Sequence, residues 1–389
     1  MRLATSVTTT VLMTLLIAAI AYGGVRMQLH PTGLVSQPPA PSPPASTKPS
    51  PVAVLPSPII RPAPLSALDV DMIDRTKGWA LSTSCNGEST QPCAYFVSVT
   101  VNAGRTWSNR VQVGPRIAST NGDAPRHIHF IDAQHGFVWG GFVAYATYNG
   151  GRTWAPATLR ASEYVVFTGR GQMVWALTYP CKKGGGLNSA CIFQVSSSQD
   201  GGRTWSAPHA LPTGFVAPAG TAFGARGLLV TGGPSAGMQI SSDGGASWRS
   251  FDPQCANGTF SELNATPDGD EIFKVCIGQL NAQSDFVTLL HLDKPGQSWK
   301  AVRMAGVDPL QGLVLIAAPA IHTAVVASNQ STLAITHDAG ATWTQVGPPN
   351  TGFASIGFAS ATDGYAVDVL GNLWVTRDGG NHWSSPAAG

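Results

Sequence analysis

Arg126-His127-Ile128-His129 sets two imidazoles at i and i+2. On a strand that spacing puts both on one face. There the pair could hold a metal. No third ligand is apparent in the sequence, so the plainer reading is a polar lining. Arg116, Arg126, Arg170, Arg226 and Arg303 carry the planar fork that grips a carboxylate by both oxygens. Only four glutamates exist, Glu88, Glu163, Glu262 and Glu271. Glu163 adjoins Tyr164, so on a strand the two side chains point to opposite faces and cannot act as a pair. Lys182-Lys183-Gly184-Gly185-Gly186 has the glycines of a phosphate loop without the rest of that pattern or its helix. It reads as a flexible basic loop.

These residues need a scaffold, and the scaffold is written as a repeat. SSSQDGGRTWS (196–206) recurs as TVNAGRTW, TYNGGRTW, SSDGGASW, THDAGATW and TRDGGNHW. HLDKPGQSW is a looser copy with one extra residue. The copies end at Trp107, Trp154, Trp205, Trp248, Trp299, Trp343 and Trp383, in steps of 40 to 51 residues. A period of that size marks a repeat architecture. Asn102, Asn149, Asp200, Asp243, Asp338 and Asp378 fold onto nearby backbone N–H groups and stabilise a tight turn. One carboxylate per turn is too few for calcium, which takes six or more oxygens. Gly supplies the positive φ, and Trp buries a large ring between layers. Ala103 and Ala339 stand where other copies have Gly, and His382 where they have Thr.

A second motif precedes the turn: MIDRTKGWALS (72–82), FIDAQHGFVWG (130–140) and FASATDGYAVD (358–368). It reads as strand, turn, strand. With a strand before the locked turn and one after it, each unit is four short antiparallel strands, the size of a propeller blade. Expected blades are 66–118, 119–164, 165–213, 214–257, 258–305, 306–350 and 351–389. Trp79, Trp139, Trp175 and Trp374 fall on strands and are expected in the core. Arg105, Arg152 and Arg203 occupy the variable slot of the turn and are expected to face solvent.

The turn resembles the Asp-box, or BNR repeat, of sialidases, other glycoside hydrolases and sortilin-like receptors. Paired with "GWA", it is most similar to the photosystem II assembly and stability factor family. That resemblance implies a seven-bladed, all-β propeller of four-stranded blades over 66–389, acting as an assembly or binding factor. It names no client. Sialidase chemistry would need an arginine trio, a Tyr–Glu pair and an Asp. The Arg-Ile-Pro element is not matched, since Pro115-Arg116-Ile117 has the wrong order.

Composition agrees with export. Charged residues are 11% and net charge is +2, so nothing points to nucleic acid. Residues 1–26 contain an uncharged run, 7–25, long enough to span a membrane, with Ala19-Ile20-Ala21 as a possible cleavage signal. The expectation is a signal-anchor, or a cleaved signal peptide. Residues 27–65 are a Pro-rich linker, with twelve prolines in 31–64. Six cysteines allow fifteen pairings. The repeat suggests Cys85–Cys93 and Cys181–Cys191 as hairpin staples, leaving Cys255 and Cys276, and none has the C-x-x-C spacing of zinc sites. The expectation is a monomeric, extracytoplasmic, membrane-anchored binding or scaffold module without metal or cofactor. Its partner is expected to be a protein client at the membrane, or else a cell-surface carbohydrate. The alternative is an extracytoplasmic glycoside hydrolase.

Overall fold

The computed structural model describes residues 66–85, 92–108, 110–118, 124–161, 163–180, 192–212, 219–231, 238–251, 258–266, 269–278, 287–292, 300–303, 314–330 and 333–386. The first 65 residues, which carry the expected membrane helix and linker, lie outside them. Among the described residues there is no α-helix. Short apolar runs broken every few residues by Gly, Asp or Asn give strands and turns instead.

The strands form antiparallel sheets in chain order. The first sheet is β1 (Ala67–Met72), β2 (Gly78–Ser84), β3 (Pro92–Thr100) and β4 (Val111–Gln112), with β5 (Ile117–Ala118) added to β3. The second is β6 (His127–Phe130), β7 (Gly136–Gly140), β8 (Val143–Thr147) and β9 (Ala155–Pro156). The third is β10 (Glu163–Arg170), β11 (Met173–Tyr179), β12 (Gln194–Ser198) and β13 (His209–Ala210). The fourth is β14 (Ala219–Phe223), β15 (Gly227–Thr231), β16 (Met238–Ser241) and β17 (Arg249–Phe251). The fifth is β18 (Gly258–Ala265), β19 (Ile272–Gly278), β20 (Val287–Leu292) and β21 (Lys300–Arg303). The sixth is β22 (Val314–Ala320), β23 (Thr323–Ser328), β24 (Ala334–Thr336) and β25 (Thr344–Gln345). Last come β26 (Phe353–Phe358), β27 (Gly364–Asp368) and β28 (Leu373–Thr376).

Seven blades of four strands is therefore not what forms. Among the described residues six blades of four strands or more form, not seven, and the final sheet has three strands. After its locked turn the backbone makes one isolated bridge, Val375 to Ser384. Pro386 then has no N–H with which to continue a ladder.

The first strands of successive sheets touch in a circle, β1 to β6, β10, β14, β18, β22, β26 and back to β1. They surround a channel. Each apolar cluster lies between two neighbouring sheets. One joins Trp79 and Val97 of the first sheet to Phe130 and Val138 of the second. The closing one joins Val70 and Met72 to Tyr365, Val367 and Val375. At that seam the backbone adds Ala67 N–H to Gly371 C=O at 3.0 Å. Cys85 and Cys93 form a disulfide at the base of the β2–β3 loop. Cys181, Cys191 and Cys255 lie outside the described residues, and of Cys276 only its backbone place in β19 is described.

Candidate functional sites in the channel and at the turn end

Alternation on β1 and β6 sends Asp69, Asp71, His127 and His129 toward the channel. Asp71 Oδ2 is 3.1 Å from His129 Nδ1 and accepts the Phe130 N–H at 2.6 Å. Its Oδ1 accepts the Tyr365 hydroxyl at 2.8 Å. His129 Nε2 lies 3.0 Å from the Gly169 carbonyl. Burial alone would lower His129, but the charge of Asp71 and bonds to acceptors at both ring nitrogens raise it overall. Burial alone would raise Asp71, and His129 with its hydrogen-bond donors brings it below the usual range. With Asp71 at one nitrogen and the Gly169 carbonyl at the other, both nitrogens of His129 meet potential acceptors, and the described residues bring no third ligand to His127 and His129. His127 is largely exposed, 3.9 Å from Asp69. Asp69 accepts the Ile128 N–H at 3.0 Å, and burial pushes it up to about 7.

This acid–imidazole ladder is part of a wider pattern. Thr168 accepts the Ala222 N–H, Thr221 that of Ala265, and Asn264 that of Ala318, all at 3.2–3.3 Å. A blade's first strand has an unpaired inner edge. At each of these seams a polar side chain from one blade satisfies a backbone donor of the next. The channel cavity, about 260 Å³, is lined by these residues with Asp71, His129, Arg170 and Tyr365. Asp71 is its one carboxylate among the described lining residues. Glu262 lies on the same alternating face of β18 as Asn264, and burial pushes it up to about 7.

At one end of the channel sit the locked turns. In the third sheet, Ser198 Oγ donates to Asp200 Oδ1 at 2.7 Å and accepts the Gly202 N–H at 2.8 Å. Asp200 Oδ1 accepts the Thr204 N–H at 2.9 Å, and its Oδ2 the Thr204 hydroxyl at 2.5 Å. Asn102, Asn149, Asp243, Asp338 and Asp378 make the same bond to the backbone four residues on. Hydrogen bonds from Ser247 and from Thr342 hold Asp243 and Asp338 down at about 2. Each described turn also docks on the first hairpin of its own blade, as Gly201 N–H does on Gln172 C=O at 2.9 Å. The turn tryptophans sit on the seams. Trp205 packs against the second–third cluster and Trp248 against the third–fourth. Trp343 packs against the fifth–sixth, Trp107 and Trp154 likewise at their own seams. Trp383 donates to Gly380 C=O at 2.8 Å. Trp299 lies outside the described residues.

One blade departs from this. In HLDKPGQSW, His291 stands where the other turns have Ser or Thr. It is buried on β20. Its Nε2 lies 3.1 Å from Oε2 of buried Glu271, the residue before β19. His322, in the β22–β23 turn of the next blade, places Nδ1 2.9 Å from Glu271 Oε1. The His322 N–H donates to Glu271 Oε2 at 2.6 Å. The sequence alone does not reveal this trio. Glu271 stands there as one of four glutamates, and its partners lie 20 and 51 residues on. The substituted Ser/Thr is the signal that could have found it.

The other candidates do not converge. Tyr164 donates to Leu159 C=O at 2.7 Å, away from Glu163. Arg116 donates to Pro92 C=O at 3.3 Å and Arg226 to Gln199 Oε1 at 3.4 Å. Arg126 is exposed, and of Arg303 only the backbone in β21 is described. Arg203 is exposed but bonds His135 at 3.1 Å and lies over the Tyr148 ring. Trp79 and Trp175 are fully buried, and Trp79 donates to Gly150 C=O of the next blade at 2.9 Å. Trp139 donates to Val165 C=O and Trp374 to Asp368. Glu88 and the loop of Lys182 to Gly186 lie outside the described residues.

Solved propellers share this arrangement. YCF48 bound to D1 peptide is 20% identical, with a TM-score of 0.50, 69% of this chain and 82% of that one aligned. The propeller domain of the Trilobed protease from Pyrococcus furiosus, which has an open velcro topology, gives 0.55 at 9% identity, with 83% and 96% covered. A polysaccharide lyase of the ulvan lyase family PL25 gives 0.50 at 8%, with 82% and 94% covered. The chain folds as a β-propeller. No family model and no curated protein sequence matches it. At these identities the likeness concerns the fold alone.

Proposed function

We propose that the chain is an exported, membrane-anchored, non-catalytic propeller with Asp-box turns that binds a protein client. The channel carries this reading. Its polar side chains are spent on stitching one blade's first strand to the next, rather than poised around an open reaction centre. Glycoside hydrolysis needs two carboxyl groups opposed across a bond, and the cavity lining has Asp71, already bonded on both oxygens. The bound D1 peptide of YCF48 makes a protein client the natural class to test, without naming the client here. Leu68, Val369 and Leu370 are exposed apolar side chains flanking the closing seam, a suitable place for such contact. The Cys85–Cys93 disulfide suits an oxidising compartment, and residues 1–65 supply anchor and stalk.

The test is photo-crosslinking of the full chain in membranes, with the probe at position 369. A discrete protein adduct, reduced by Leu370→Asp with folding intact, is expected. A second reading, carbohydrate binding or hydrolysis, draws on Asp69 and Glu262, both near neutral titration on the channel face. Incubation with a panel of cell-surface glycans and sialosides, read by mass spectrometry, decides it. Shortened glycans would establish a hydrolase and sink the non-catalytic reading.

A further inference from the structure

We propose that Glu271, His291 and His322 form a zinc-type metal site that clips the fifth blade to the sixth. One carboxylate oxygen and two imidazole nitrogens lie within 4.8 Å of one another. Ligand atoms bonded at about 2.1 Å to a tetrahedral ion stand about 3.4 Å apart. His291 Nε2 stands 3.1 Å from Glu271 Oε2 and His322 Nδ1 2.9 Å from Oε1, so either oxygen is already near that spacing from one ring, and the three ligand atoms draw in from within 4.8 Å. Two nitrogens and one oxygen suit a borderline transition ion, whereas calcium and magnesium prefer all-oxygen shells.

The surroundings fit a clip. Glu271 and His291 are buried, while the His322 side chain is 56% exposed. The trio thus has a fixed floor and an open rim through which an ion and a fourth, water ligand can enter. His322 adopts a left-handed φ of 58°. That conformation is costly for a residue with a Cβ, and the bond from its N–H to Glu271 holds it there. The same carboxylate thereby fixes the backbone of one histidine and meets the rings of both. The trio also sits where it is needed. In the fifth blade the Ser/Thr of the turn motif is His291, so the position that elsewhere closes a local lock here meets Glu271, which in turn meets the next blade.

The full chain, stripped with a chelator and dialysed, is titrated with zinc chloride in a calorimeter and melted with and without the ion. Cobalt(II) is added separately and its visible bands recorded. The expected result is one saturable equivalent, a rise in Tm and tetrahedral cobalt bands. His322→Ala, at an exposed position that tolerates truncation, should abolish all three with circular dichroism unchanged. His337→Ala, a neighbouring exposed histidine outside the trio, should retain them. Absence of saturable binding, or binding that survives His322→Ala, would overturn the proposal and leave a Glu–His hydrogen-bond cluster without an ion.

Discussion

The turn at Asp200 and the cluster at His291 hold equivalent places in two blades by opposite means. At Asp200 every bond is local: Ser198, Arg203 and Thr204 all lie within four residues. The carboxylate's lock closes within one hairpin, and only the turn's outer groups, Arg203 and Trp205, reach the second blade. At His291 the partners are Glu271 and His322, the last from the next blade. That contact lies between blades, with Glu271 and His291 buried and the His322 ring at the surface. The difference teaches where to look for function in a repeat: at the copy that has given up the shared solution.

Breaking the buried cluster should cost most. Glu271→Ala leaves two imidazoles and the His322 N–H without their acceptor, and should destabilise by roughly 2–4 kcal/mol in denaturant unfolding. A loss under 1 kcal/mol would mean that the cluster is peripheral. Asp200→Ala removes only local bonds and should cost about 1–2 kcal/mol, with binding elsewhere unchanged. A specific activity lost at unchanged Tm would make Asp200 functional instead.

The pH dependence separates two kinds of carboxylate. Asp243 and Asp338 are held at about 2. Their contribution is present above the unfolded value near 4 and is lost as pH falls from there toward 2. Asp69 runs the other way. Its carboxyl is raised to about 7, so its contribution is complete below about 4 and is lost as pH rises through 7. Asp69→Asn should therefore gain on the parent by about 1 kcal/mol or more between pH 5 and pH 8, read from paired melts. A flat difference would show that Asp69 ionises without cost. The smallest effect is expected at Ala339, whose φ of 58° sits where other copies have Gly. Ala339→Gly should stabilise by up to about 1 kcal/mol, and a loss would show that the turn tolerates the Cβ.

Much of the scaffold was legible because the turn chemistry is local. Asp at one position, Gly two later and Trp five later dictate a turn whose bonds all close within the motif. The final sheet was not legible as three-stranded. Its turn, ending at Trp383, is as regular as the others. Strand loss depends instead on the residues after that Trp, among them Pro386, which cannot donate. The metal-capable trio was invisible for a related reason. Its residues are distant in sequence and meet only because β19, β20 and the β22–β23 turn converge at a seam. The channel histidines were visible as a pair, but Asp71 and Gly169, which meet the two nitrogens of His129, were not.

The closing seam also says something about order of assembly. Most seams join blades that are consecutive along the chain, so each can form soon after its second blade is made. The contact from Asp71 to Tyr365 spans 294 residues. Loop-closure entropy grows only slowly with length, yet it must be met before that contact returns anything. The ring should therefore grow blade by blade as an open arc, and the Asp71–Tyr365 seam should be the last to shut and the first to part.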